Sequence, residues 1–486
     1  MSEGSTIRHP DGRVELRAPE EVRGSRLHNE DLAPVPVSRR TWSTWDYAAL
    51  WISMAHCIPT YMMASSLIQK GMSWWQALLT ILLGNLIVLA PILLNSHPGT
   101  KYGIPFPVFA RAAYGTTGSN LPALMRALIA CGWFGINAWI GGLALQTFFV
   151  SIYPGWGTLG GTLHGFPATL WVSFLLFWGL NILVIYRGME LVRRLERFAA
   201  PFVLVMTAIL VVWAVREADG LGPIMSRGST LVDFWPVFIP ALTATIGFWS
   251  TLSLNMPDFT RFGRSQREQA IGQVVALPST MTVFAAMGIM ITSATVIIYG
   301  APIDNPIVLG GKFENRLIVG IAMFTAVIAT LAVNIAANVV SPANDFANAF
   351  PKRITFARGG LITGVIGILM MPWELLKNPG RYIDGWLVGY SGSLGSIAAV
   401  LIVDYWILRR TELDLRSLYA EDGAYRYRNG WNIPAVVATL TGALVALLGA
   451  FWEPMRPIYD WSWFVGFGIA GALYWGLMQH RVPRRR

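Results

Sequence analysis

The chain has 486 residues, 54% of them apolar and only 13% charged, with a formal net charge of +10. Soluble domains carry roughly 25% charged residues, so this composition excludes an ordinary soluble enzyme and requires long uncharged runs. Its two cysteines, Cys57 and Cys131, both lie in apolar runs, which argues against a disulfide framework or a thiolate metal site.

Residues 1–46 form a polar tail with seven arginines between Arg8 and Arg40. It lacks the short apolar core of a cleavable signal peptide. Twelve helical spans are then expected, each long enough to cross a hydrocarbon layer of about 30 Å. The first six are Tyr47–Leu67, Trp75–Asn95, Leu121–Val150, Phe166–Ile185, Phe198–Val215 and Phe234–Leu254. The second six are Ile271–Tyr299, Leu317–Val340, Gly360–Leu376, Gly385–Leu408, Ile433–Phe451 and Trp461–Met478. With both termini on the cytoplasmic side, inner segments hold 28 lysines and arginines and outer segments hold 8, as the positive-inside rule demands. The outer ones are Lys70, Arg216, Arg227, Lys312, Arg316, Lys377, Arg381 and Arg456. The expected fold is an all-α, multi-pass protein of the cytoplasmic (inner) membrane.

Spans one to five (47–216) and six to ten (217–408) form two units of opposite topology, since five is odd. Residues 409–479 add two helices, and 480–486 form a basic tail. Inverted-repeat transporters place their sites at interrupted helices in matching positions. Span one carries Pro59; span six carries Pro240 and Gly247. Both are the first spans of their unit and both are candidates for a break.

His56 is the one histidine inside these spans, and an ionisable group at membrane depth points to function. A neutral histidine bonded to a carbonyl is the structural alternative. Trp133 and Asn137 lie four apart on span three and share a face. An indole with an amide one turn away suits a flat heterocycle, one stacking and the other reading its edge; Gly132 and Gly135 beside them permit close approach. Asn334 and Asn338 are likewise four apart on span eight and need partners, from other helices or from a substrate. Asp258 and Asp404 are expected to organise cytoplasmic loops through nearby arginines. No phosphate-binding loop, metalloprotease motif or nucleophile triad is present, which disfavours ATP-driven pumping and membrane hydrolysis.

Four stretches carry a resemblance: residues 101–111 (KYGIPFPVFAR), 132–139 (GWFGINAW), 257–262 (PDFTRF) and 334–342 (NIAANVVSP). With Asp31–Pro34 and Arg40–Trp42, they are similar in order and content to the nucleobase–cation-symport-1 family of hydantoin, allantoin, uracil, cytosine and purine permeases. The resemblance covers nearly the whole chain. It implies a LeuT-type fold of two inverted five-helix repeats plus two C-terminal helices, with helices one and six broken midway. It implies that Trp133 and Trp249 sandwich a substrate ring, that Phe248 presents backbone to it, and that Asn338 bonds its amide edge. Asn137 and Cys57 stand where the family has glutamine, and Leu387 belongs to an outer gate. In sodium-coupled relatives the ion lies between helices one and eight. The matching positions here are Ser53, His56, Ala329, Ala332 and Val333, and the last two lack the hydroxyls of those relatives. A hard cation needs about six oxygens, so a proton is expected as coupling ion, with His56 a candidate protonation point and no cofactor or resident metal.

The function that follows is secondary symport of a uracil-, hydantoin- or allantoin-like ring by alternating access. A purine, cytosine, thiamine or pyridoxine-like ring is the alternative within transport. A membrane-embedded enzyme would need a paired acid and base or a metal cluster in the spans; a receptor would be expected to bring a soluble domain.

Overall fold

The computed structural model describes residues 5–187, 189–226, 228–303, 305–377 and 385–481. Arg227, Arg381 and the last three arginines, counted above for topology, lie outside the described residues. The first half of the chain forms α1 (Thr44–Ala55), α2 (Ile58–Gln69), α3 (Trp74–Tyr102), α4 (Phe106–Tyr114), α5 (Asn120–Ile152), α6 (Ala168–Arg187), α7 (Met189–Glu217) and the short α8 (Leu221–Met225). Then come α9 (Trp235–Ser250), α10 (Leu252–Asn255), α11 (Pro257–Thr260), α12 (Gln266–Tyr299), α13 (Pro306–Gly310), α14 (Arg316–Asn338), α15 (Val340–Ala349) and α16 (Phe356–Leu369). The chain ends in α17 (Pro372–Leu376), α18 (Val388–Ile402), α19 (Ile433–Phe451), α20 (Arg456–Asp460) and α21 (Ser462–Met478). Two small hairpins, Thr6–Arg8 with Val14–Leu16 and Thr162–Leu163 with Phe166–Pro167, are antiparallel.

Among the described residues eight helical stretches are long and apolar enough to cross a bilayer, and α9 with α10 and α11 makes a ninth, bent by 41°. Their outer faces carry exposed Leu86, Val275 and Leu444, side chains that lipid rather than water would cover. Three of the expected spans are shorter or interrupted as continuous helices. Span one is two 12-residue helices, α1 and α2, separated at His56 and Cys57. Span nine ends at Leu369, because Met371 adopts a left-handed backbone (φ 49°) and Pro372 follows it. Span twelve is 17 residues. Span two also runs further than expected: α3 reaches Tyr102, where Gly103 (φ 71°) caps it. His97 therefore lies within a helix too, bonded to the Tyr405 hydroxyl at 2.9 Å, so His56 is not the one histidine in a span.

The break in span one has a local cause. Cys57 is extended (φ −133°, ψ 155°) and its N–H turns to Ala55 O at 3.0 Å instead of Ser53 O. Pro59, at the second position of α2, has no N–H to offer Ala55 O. In span six the break is not at Pro240 or Gly247, through which α9 continues, but at Thr251. Gly247 serves packing: a Cβ there would lie 2.7 Å from the Leu387 carbonyl oxygen. A third break, at Val339 between α14 and α15, precedes Pro342, which leaves the Asn338 carbonyl without its helical donor.

The segment before α1 packs along one face with residues 103–119, which include α4, with residues 340–358, which include α15, and with the connection 409–432. Buried Arg40 donates to the carbonyls of Val35 (2.8 Å), Thr100 (3.0 Å) and Val14 (2.9 Å). Arg111, fully buried, donates to Leu418 O and Leu27 O, and Asn29 donates to Pro351 O and Ile354 O. Arg8 and Lys101 both bond Glu412; burial pushes that carboxyl up, and these hydrogen bonds bring it below its ordinary value.

Helix α5 meets α16 through facing glycines. A Cβ on Gly135 would lie 2.3 Å from Gly367 O, whereas one on Gly179 would meet nothing. Gly135→Ala is expected to cost about 1–3 kcal/mol by overpacking and lower the thermal unfolding midpoint in detergent. Gly179→Ala should leave the midpoint unchanged or raise it, and equal midpoints for the two variants would contradict this packing.

Candidate functional site

Aromatic side chains of α1, α5 and α9 form one buried cluster. The Phe248 ring touches Trp133 (centroids 5.3 Å, 71°) and Trp249 (4.9 Å, 82°), and Trp51 of α1 meets Trp249 edge-on at 5.2 Å. The Phe248 ring thus bridges the two tryptophans. T-shaped contacts of this kind are worth about 0.5–1.5 kcal/mol each beyond burial.

Polar groups tie the cluster to its helices. Trp133 Nε1 donates to the Tyr390 hydroxyl at 3.1 Å, which donates to Gly247 O at 3.0 Å. One tyrosine on α18 thus joins α5 to α9. Asn137 Nδ2 donates to Trp133 O at 3.1 Å, one turn back. Its Oδ1 is buried with no hydrogen-bond partner, and so is Trp249 Nε1. Two residues of the cluster therefore hold an uncommitted acceptor and an uncommitted donor.

On α14, Asn338 Nδ2 donates to Asn334 Oδ1 at 3.0 Å; Asn334 Nδ2 donates to Asn181 Oδ1 at 3.1 Å and Phe134 O at 3.3 Å. Asn334 is thus spent on helix–helix bonding and is fully buried, while Trp133, Phe248 and Asn338 keep 5–6% of their surface accessible. Leu387 is fully buried just before α18, with its carbonyl against Gly247. Gly132 admits the Trp386 ring rather than a backbone.

Cys57 does not join the aromatic cluster's contacts. It sits with His56, Thr60, Ala329 and Thr330 on a cavity of about 590 Å³ between α2, α7, α12 and α14, whose wall is mostly carbon. There Cys57 Sγ is 3.1 Å from Thr60 Oγ1. His56 Nε2 bonds the Thr207 hydroxyl of α7, its ring lies edge-on to Phe284, and its Nδ1 has no partner. Ser53 of α1 and Ala332 and Val333 of α14 are buried, and α1 packs against α14. Asp404 pairs with Arg409 at 2.6 Å and accepts from Tyr474 at 2.7 Å. Asp258, by contrast, accepts from Phe106 N and Asn344 Nδ2 rather than from an arginine.

Tyr390, Trp51, Thr207 and Asn181 were not singled out from sequence. An isolated amide or hydroxyl in an apolar span was the available signal, and many such residues share it. Tyr390→Phe is expected to cost about 1–3 kcal/mol through the buried Gly247 carbonyl it leaves. An unfolding midpoint and tryptophan emission spectrum identical to those of the parent would show the bridge to be idle.

A family model described as permease for cytosine/purines, uracil, thiamine, allantoin matches residues 34–466. The chain is 42% identical over 465 residues to the allantoin permease of Bacillus subtilis, covering 94% of each protein. It is 40% identical over 481 residues to the purine-uracil permease NCS1 of Arabidopsis thaliana, covering 95% of this chain and 79% of that one. Among solved structures, Mhp1, a nucleobase-cation-symport-1 family transporter in a closed conformation with bromovinylhydantoin bound, superposes with a TM-score of 0.79 at 24% identity. That match covers 93% of this chain and 96% of the other, and its likeness is one of fold.

Proposed function

The chain belongs to the family of permeases for cytosine and purines, uracil, thiamine and allantoin, and on that premise we propose that it carries an allantoin-, hydantoin- or uracil-like ring across the cytoplasmic membrane by alternating access. The observation that carries the ring assignment is the uncommitted pair in the aromatic cluster: the Asn137 Oδ1 acceptor and the Trp249 Nε1 donor. Rings of this class alternate N–H and C=O along their edges and present a flat face. Burying such atoms unpaired costs about 1–3 kcal/mol each, a cost that a matched ligand edge removes. Trp133 and Trp249 would flank the ring, with Phe248 turning aside, and Asn338 would bond its amide edge. Leu387 would close over it.

The finer architecture is proposed on the same footing: twelve crossings, as two five-helix units of opposite direction plus two C-terminal helices, with both termini cytoplasmic. The breaks at His56–Cys57 and Thr251 support it, because each falls in the first helix of its unit. The face that carries the N-terminal segment is then the cytoplasmic one.

Transport is proposed to be coupled to protons rather than sodium. Ala332 and Val333 bring no side-chain oxygen to the α1–α14 contact, and His56 and Ala329 border a largely carbon-lined cavity. Such surroundings do not offer the roughly six oxygens a hard cation takes.

Screening the purified protein by tryptophan fluorescence against allantoin, hydantoins, uracil, cytosine and purines tests the pocket. Trp133→Ala is expected to weaken the best response at least tenfold, which is about 1.4 kcal/mol, in protein that still unfolds cooperatively. Full affinity in that variant would defeat the assignment. Uptake at fixed pH should be indifferent to replacing sodium by choline and should collapse with a protonophore; a clear rise on adding sodium would reverse the coupling proposal.

A further inference from the structure

Two helical turns below the aromatic cluster lies a buried ionic group that the substrate reading does not use. Arg126 of α5 and Asp345 of α15 are both inaccessible to solvent, and Arg126 Nη1 is 3.9 Å from Asp345 Oδ2. That is an ion pair without a hydrogen bond. Arg126 Nη2 donates to Ala337 O at 3.2 Å, beside the break at Val339, while Nε and Nη1 have no hydrogen-bond partner. Neither oxygen of Asp345 has one. A buried carboxylate in this position is normally bonded several times over.

The placement ties the pair to the ring site. Arg126 precedes Trp133 by seven residues on α5, two turns or about 10 Å of rise. Asp345 follows Asn338 by the same number across the kink. The two helices that bear the candidate substrate contacts are thus linked, on their cytoplasmic side, by a loosely made charge pair as well as by the bond from Asn348 Nδ2 to Asn120 Oδ1 at 2.7 Å.

We propose that Asp345 is the residue that takes up and releases the coupling proton, which rests on the proton-coupled reading above. As a carboxylate it pairs with Arg126 and holds α15 to α5. When a proton adds to an oxygen of Asp345 a neutral carboxyl forms, the pair loses its attraction, and one of the ties between the inner ends of the two helices is released. Loss of that proton to the cytoplasm restores the carboxylate and re-closes the pair, with Arg126 charged throughout.

The other charged groups around Asp345 have contacts of their own, although Asp258 Oδ2 and Arg261 Nε have no hydrogen-bond partner among the described residues. Asp258 of α11 accepts from Phe106 N (3.1 Å) and Asn344 Nδ2 (3.0 Å). Arg261, just after α11, donates to Asp31 O at 2.7 Å, and the Asp31 carboxylate accepts from Phe356 N. Arg111 of α4 is bonded to Asn348, and exposed Arg358 of α16 to Arg353 O. Glu30 is exposed beside Asp31, and the Cys131 thiol is buried on α5. His56, the other candidate, makes its polar contact with a threonine and would have no counter-ion once protonated.

The test uses the full chain in liposomes with an acid-outside pH gradient and, radiolabelled, whichever of allantoin, uracil, hydantoin or purine gives the largest fluorescence response. The parent should accumulate the ring above equilibration. Asp345→Asn should keep the fluorescence response and exchange internal for external ring, yet lose accumulation. Accumulation by Asp345→Asn with the parent's pH dependence would overturn the proposal. If that variant does not fold, Asp345→Glu should accumulate with a displaced pH profile, and an unchanged profile would overturn it equally. A parent that shows no gradient-driven accumulation would instead remove the proton-coupled reading itself, and this assignment with it.

Discussion

Inside a bilayer the backbone must satisfy its own hydrogen bonds, and every irregularity has to be bonded from somewhere else. The architecture follows from how this chain meets that demand at the breaks in spans six and eight. Asn95 of α3 donates to Ser253 O at 2.7 Å, just past the break at Thr251. Tyr390 of α18 donates to Gly247 O, one turn before it. Arg126 of α5 donates to Ala337 O, next to the break at Val339. Each donor comes from a neighbouring helix, so each break is also a tie between helices. A carbonyl left unbonded would cost about 1–3 kcal/mol, which makes these ties specific.

The same ties locate the aromatic cluster. The Trp133 side chain of α5 meets Phe248 of α9 while Tyr390 bonds both helices and Gly247 lets α18 approach. Asn334, bonded to Asn181, Phe134 and Asn338, fixes α14 against α5 and α6. A change of conformation that opens the cluster has to shift α5, α9 and α14 relative to one another. Its energy cost is therefore set by a few directional bonds rather than by apolar area, since lipid tails and side chains are equally apolar.

Much of this was legible in the sequence, and the misses share one cause. Spans and charge asymmetry are properties of consecutive residues, so the membrane class and most helix positions could be read directly. The shared face of Trp133 and Asn137 follows from helical period alone. Gly247 was read as a breaker because glycine has two uses, and only the position of Leu387, 140 residues away in sequence, shows which applies. Thr207, Asn181 and Tyr390 were missed because their importance lies in partners on other helices. Asp345 was passed over because span eight was ended at Val340, whereas α15 carries the helical path on to Ala349.

The face that carries the N-terminal segment is fastened by arginines that grip main-chain carbonyls. Arg40 holds Val14, Val35 and Thr100; Arg111 holds Leu27 and Leu418. A carbonyl carries no net charge for counter-ions to screen, and these guanidinium groups are buried, so dissolved salt has little purchase on them. The N-terminal segment should therefore remain seated across the range of ionic strengths a cell experiences. Such a clasp answers to the positions of the helix ends it grips, and it can report their movement to the rest of that face in a way a surface ion pair cannot.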